Sequence, residues 1–400
     1  MQARQPRVRF GSPANTIQGR NTVPRQTLDY LKTLLSFSSV SSESNLAITD
    51  QVDVWLQELG FQTERTAWID HNGVTKCNVV GRLGSDLESG LAWCGHTDVV
   101  PVDSWSFAAA DPWTAHVTAD RVYGRGSCDM KGPVACMLGA LAAMDRSSLK
   151  KTFWFAATAD EEVGMLGARR LVSESAFYRE IVRTDTPMII GEPTELRVVC
   201  AHKGGRTINV DSRGTAAHSS TGLGNNSNFA LIPFLQEVLA LRNEMESSAA
   251  WIDHRFTPPT TSLNLLLHDN NSGINITSSE SGCRIFFRPM PGQDADGAVR
   301  RLMQVATECG LQAELVFSSE PLDTPADSPF IEELQQLSGG TPPATAAYGT
   351  DGAILTELSQ VAVIGPGSIA QAHTDDEWIA LDQLDRGTKF FRQCVQHWCC

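Results

Sequence analysis

From Gln26 onward, the apolar positions of the chain switch between two spacings. Leu28 to Phe37 and Ile48 to Leu59 place them at helical intervals, whereas Cys77 to Val80, Leu91 to Cys94, Thr152 to Ala157 and Met188 to Ile190 are short β-rich runs. Helical stretches at Val134 to Met144 and Leu166 to Val172 separate the later runs. This order predicts an α/β fold with a mostly parallel central sheet, in which ligands belong beyond the strand carboxyl ends.

The middle of the chain follows another order. Thr207 to Asp211 alternates as a half-buried strand, Asn228 to Met245 is helical, and Leu263 to Leu267 and Cys283 to Arg288 are strand-like. Ala298 to Cys309 is again helical, and Ala313 to Phe317 closes the series as a strand. The result, βαββαβ, is the order of a ferredoxin-like split βαβ unit. A Pro-rich linker then runs to Pro329, and a helix (Phe330 to Leu337), a strand (Val361 to Ile364) and a terminal helix (Leu381 to Trp398) resume the first pattern. The expected organisation is a tail over residues 1–25, one domain in two parts (26–204 and 320–400), and a second domain (205–319) inserted into it. No internal repeat or low-complexity tract interrupts it.

Composition narrows the class. Four hundred residues accommodate about two or three domains of roughly 100 to 200 residues each. A formal charge of -14, from 32 basic and 46 acidic residues, with no segregated basic face, argues against a nucleic-acid partner. The longest small-apolar run, Val134 to Met144, is too short to cross a bilayer. Ten cysteines without zinc-ribbon spacing read as reduced thiols in a cytoplasmic setting. Arg4, Arg7, Arg9, Arg20 and Arg25 precede the first acid, Asp29, a bias shared with transit peptides, but scattered Pro and Gly favour a solvated tail.

Candidate chemistry clusters just past the predicted strands. In Gly95-His96-Thr97-Asp98 the histidine and the second acid point the same way on an extended backbone, either as a metal ligand with its orienting carboxylate or as a surface pair. Asp129 lies in GRGSCDMKG, which lacks the third glycine of a dinucleotide loop and any P-loop lysine, so it is a ligand or a helix cap. Glu161 and Glu162 follow the strand Thr152 to Ala157, as a metal-and-water pair or as a solvated turn. Glu192 and His373 occupy comparable positions. Convergence of Asp98, Asp129, Glu161, Glu162 and Glu192 without cations would be strongly repulsive, and two histidines with a bound divalent metal resolve the conflict. His397, Cys399 and Cys400 lack a fourth ligand and read as a fraying tail. Cys128 is not needed as a nucleophile, and Trp105, Phe107 and Trp113 read as loop packing.

In order along the chain, GHTDVVP, GRGSCDMKG, ATADEEVG, IIGEPTEL, GTAAHSS and GPGSIAQAHTDDEW resemble the co-catalytic zinc amidohydrolases that include acetylornithine deacetylases, succinyl-diaminopimelate desuccinylases, aminoacylases and glutamate carboxypeptidases. The likeness runs from about Asp29 to the C-terminus. It implies a zinc-peptidase-like catalytic domain with an inserted lid and dimerisation domain, and two zinc ions, with cobalt as an alternative. Asp129 would bridge the ions, His96 and Glu192 completing one site and Glu162 and His373 the other. Asp98 would orient His96, and Glu161 would be the general base acting on a metal-bridging water. His218, in GTAAHSS, would donate to the oxyanion from its own lid or from a partner's. Arg288 and Asn275 would hold the substrate carboxylate.

AHKG at residues 201–204, IIGEPTEL and GPGSIAQAH are most similar to acetylornithine deacetylases, which implies hydrolysis of N-acetyl-L-ornithine to L-ornithine and acetate, in arginine biosynthesis. GRGSCDMKG, YGTDG and Trp378 resemble the wider deacylase and carboxypeptidase members equally, so desuccinylase, dipeptidase and other N-acyl-amino-acid deacylase activities stay open. A noncatalytic metal-binding protein on the same fold is the contrasting class. Edge strands of the inserted domain, where relatives pair, predict a homodimer.

Overall fold

Strands whose apolar residues run without alternation are buried on both faces, and four of them form the centre of the large sheet. In the computed structural model, which describes residues 23–84, 88–271 and 273–400, these are Glu88–His96, Lys151–Thr158, Met188–Ile190 and Val361–Val363. They run parallel to one another, so their carboxyl ends share one edge. Most of the expected N-terminal tail, residues 1–22, lies outside the described residues.

Among the described residues the sheet has nine strands and is mixed, more so than expected from the sequence. Gln62–Ile69 and Thr75–Leu83 form an antiparallel pair on one side of the parallel centre. On the other side Val199–His202 runs antiparallel to Val361–Val363 and also receives Leu322–Asp323, from within the expected linker. Gln62–Ile69 left no periodic signal because it is an edge strand with a single buried residue, Trp68.

Helices cover both faces. Leu91, Trp93, Phe153 and Phe155 point into one core, under the helices Arg25–Leu35, Leu46–Glu58, Lys131–Ala142, Pro329–Leu337 and Leu381–Cys399. Their neighbours Ala92, Cys94, Trp154 and Ala156 point the other way, toward Leu166–Glu174 and Ala176–Arg183. Lys131–Ala142 is buried nearly all round. A Cβ on its Gly139 would lie 2.1 Å from Thr27 Oγ1, so only glycine permits this helix approach. The C-terminal helix does not fray, contrary to expectation. Cys399 is buried, its carbonyl accepts a 2.7 Å hydrogen bond from Lys150 N, and Trp398 packs edge-on against Phe330.

Between His202 and Gly205 the chain leaves the large sheet, and it returns after Ser319. The excursion forms a four-stranded antiparallel sheet, ordered Ser262–Asp269, Glu280–Arg288, Gly205–Arg213, Gln312–Ser319, which is the ferredoxin-like arrangement. One face, with Ile208, Val210, Cys283, Ile285 and Phe287, packs under the helices Asn228–Ser247 and Ala295–Glu308. The opposite face turns toward the carboxyl edge of the large sheet. There Phe286, Arg288, Phe317 and Ser319 line the cleft that both domains enclose.

Candidate active site

Each parallel strand delivers chemistry at its end. His96 is the last residue of Glu88–His96; its Nε2 lies 3.0 Å from Asp129 Oδ1 and 3.7 Å from Glu192 Oε1. The second oxygen of Asp129 faces His373 Nε2 at 3.4 Å, and that nitrogen lies 3.0 Å from Glu162 Oε2. Asp129 therefore stands between two imidazoles, each with a further carboxylate. Ligand atoms of His96, Asp129 and Glu162 all lie within 4.8 Å of one another, close enough for one ion to share.

The acidic turn after Thr158 is held from beneath. Buried Lys76 donates to Asp160 at 2.7 Å and to the carbonyls of Ser41 and Glu43. Asp98 was expected to orient His96 through its carboxylate, but His96 Nδ1 lies 2.9 Å from the Asp98 backbone carbonyl and 3.6 Å from the carboxylate. The carboxylate instead accepts from Ser41 Oγ and from the backbone N–H groups of Glu161 and Glu162. One residue thus positions a histidine on one strand and the acidic turn after the next.

Electrostatics express the crowding. Burial pushes the Glu161 and Glu192 carboxyls well above the usual range, and neighbouring carboxylates add to the shift. Burial also raises Glu162. Burial alone would raise Asp129, but hydrogen bonds from His373 and His96 outweigh it and hold that group low. Hydrogen bonds to Asp129 and Glu162 raise His373 to about 10. Such a cluster attracts positive charge, and imidazole with carboxylate is a donor set that zinc accepts. The residues fit a divalent metal pair.

A cleft of about 430 Å³ opens over the cluster, lined by Asp129, Glu161, Glu162, Glu192, Arg288 and His373 among others. His218 and Asn275 are exposed and do not line it. Both sit in loops beyond the far ends of Gly205–Arg213 and Glu280–Arg288, where His218 pairs with Ile276 and its Nδ1 meets Ser220 Oγ at 2.8 Å. The nine-residue strand Gly205–Arg213 separates them from the cleft, roughly 26 Å over its eight steps of about 3.3 Å. Phe107 stacks on Tyr123 at 4.1 Å, and Cys128 is fully buried with its thiol raised by burial, in keeping with packing roles.

Glu377 was not singled out from the sequence. Its buried carboxylate accepts from the backbone N–H groups of Gly126, Cys128 and Asp129 and from Arg125 Nη1. It shapes the whole loop that presents Asp129. The only signal available was an acid four residues beyond His373, whose partner Arg125 lies 252 residues away.

Comparison with known proteins agrees with this geometry. The profile of "Peptidase family M20/M25/M40" matches residues 92–397. An acetylornithine deacetylase of Myxococcus xanthus is 33% identical over 382 residues, covering 92% of this chain and 96% of that protein. A tripeptidase from Staphylococcus aureus shares the fold at a TM-score of 0.72 and 18% identity, covering 93% of this chain and 98% of its own. A dinuclear metal-binding M20 peptidase from Bacillus subtilis does so at a TM-score of 0.63 and 13% identity, covering 93% and 97%.

Proposed function

Because the chain belongs to peptidase family M20/M25/M40, a family of metal-dependent amidohydrolases and peptidases, we propose that it hydrolyses the amide of an N-acyl amino acid. The observation that carries this reading is Glu161: a carboxylate in the cleft, beside two histidines joined by Asp129, and not itself bonded to either. His96, Asp129 and Glu192 would hold one zinc ion, and Asp129, Glu162 and His373 the other. When bound, the pair supplies Lewis acidity for the amide carbonyl and lowers the pKa of water toward about 7.

The residues of this chain perform the remaining work. Glu161 takes a proton from the attacking water and delivers it to the departing amine. Arg288 pairs with the substrate carboxylate. His218 reaches the reacting amide, and Asn275 the substrate carboxylate, from the lid of a second copy, since their own cleft lies at the other end of the sheet. The protein acts as a homodimer in the cytoplasm. The name of the Myxococcus relative makes N-acetyl-L-ornithine the first compound to test.

The test is hydrolysis by the zinc-reconstituted protein of N-acetyl-L-ornithine, N-acetyl-L-methionine, N-succinyl-diaminopimelate and a Gly-Glu dipeptide, with a chelator control. Chelator-sensitive release of a free amine is expected. Glu161→Gln should keep its zinc and lose about 10²- to 10⁴-fold in turnover. Equal loss of metal would make Glu161 a ligand, and full metal loading without any turnover would leave a noncatalytic metal-binding protein.

A further inference from the structure

The wall of the cleft opposite the metal cluster is built by the inserted sheet, and its register decides what it presents. Phe286 and Phe317 both pair with Thr207, from strands on either side of it. The register of the last strand shifts between Leu315 and Phe317, and this irregularity brings Phe317 into the same row as Phe286. Arg288, two residues beyond Phe286, falls on the same face by strand alternation. The two rings converge over Gly205, where a Cβ would lie 2.7 Å from Phe317 Cε1 and 3.3 Å from Phe286 Cε2. Val163 and Met165, from the acidic turn, line the cleft with them.

This wall carries no negative charge. Among the described residues that line the cleft, the acids Asp129, Glu162 and Glu192 are assigned to metal and Glu161 to proton transfer, which leaves no further carboxylate for a substrate ammonium. Both rings already have cations near them: the Arg288 guanidinium lies 4.9 Å from the Phe286 centroid and that of Arg169 5.8 Å from Phe317. A second cation there would meet like charge and only the neutral hydroxyls of Ser319 and Tyr348, whereas an alkyl chain would meet aromatic and thioether surface. We infer that the cleft selects an N-acyl amino acid whose side chain is uncharged and apolar, about the size of norleucine or methionine, over one ending in an ammonium group. The inference rests on the amide-hydrolase reading above and narrows it, away from the substrate in the relative's name.

N-acetyl-L-norleucine and N-acetyl-L-ornithine differ by a terminal methyl in place of an ammonium, which makes them the discriminating pair. The zinc-reconstituted enzyme should show kcat/KM roughly 100-fold higher for the norleucine compound. Calorimetric titration of zinc-loaded Glu161→Gln with both compounds separates binding from chemistry. Tighter binding of the norleucine compound supports the inference even if neither is hydrolysed, in which case only the hydrolase reading fails. Equal or better turnover or binding of the ornithine compound overturns it, as does failure of the variant to bind either.

Discussion

His96 and His202 are both buried at strand ends a few residues from the domain crossing or the metal cluster, yet their surroundings push them in opposite directions. Burial disfavours the charge of His96, but Asp129, Glu192 and Asp98 overcome that and raise it well above the ordinary imidazole value. His202 has only neutral partners, the Lys203 carbonyl at Nδ1 and the Thr350 hydroxyl at Nε2, and burial lowers it from 6.5 to about 4. Folded His202 is thus neutral where the unfolded chain takes up a proton. Its contribution to stability is present above pH 6.5 and is lost as pH falls toward 4. Urea unfolding at pH 7 and at pH 5 should show His202→Gln losing less stability on acidification than the wild type, by about 2 kcal/mol. An unchanged difference would mean that His202 does not titrate in this interval. At this scale the residue types were legible, since His96 and Asp98 announce themselves by spacing. Whether the surroundings of a histidine are acidic or neutral was not, because those neighbours arrive from other strands.

Among elements, the loop from Gly124 to Asp129 shows how far local signals extend. Its glycines and its Asp are visible as a motif, and Gly126 takes the positive φ of 83° that a glycine readily accepts. The loop nevertheless has its shape from Glu377, which accepts from three of its N–H groups and from Arg125. Both members of that ion pair are 1% exposed, so removing one leaves the other charged and without its partner. Glu377→Ala should cost about 3–5 kcal/mol in thermal unfolding. It should also weaken zinc binding about 10- to 100-fold, because Asp129 loses its support. Glu377→Gln, which retains an acceptor, should lose less of both; equal losses in the two variants would exclude a charge-dependent clamp. The central strands were readable because burial on both faces leaves unbroken apolar runs. The edge strand Gln62–Ile69 was not, because one buried side chain in eight makes no pattern.

At the scale of the whole molecule, the distance of His218 from its own cleft and the character of the lid edge point to the same assembly. Ser262–Asp269 is an edge strand whose Leu266 and Leu267 are 59% and 57% exposed, and Phe229 and Ile232 of the adjoining helix are exposed beside it. An apolar edge of this kind invites pairing with a second copy. Sedimentation at micromolar concentration should therefore give a dimer. Mixing inactive Glu161→Gln with inactive His218→Ala should restore roughly a quarter of wild-type turnover, since half the dimers would be mixed and each would hold one intact site. No recovery after verified subunit exchange would place the action of His218 within its own chain. The sequence by itself determined the α/β alternation, the inserted βαββαβ order and the residues that stand just past the central strands, because these depend on periodicity and on neighbours a few positions away. Only the tertiary structure decided the mixed flanks of the sheet, the Glu377–Arg125 clamp, the apolar wall of Phe286 and Phe317, and the remoteness of His218 and Asn275 from the cleft, because each depends on which distant strands and loops come to lie side by side.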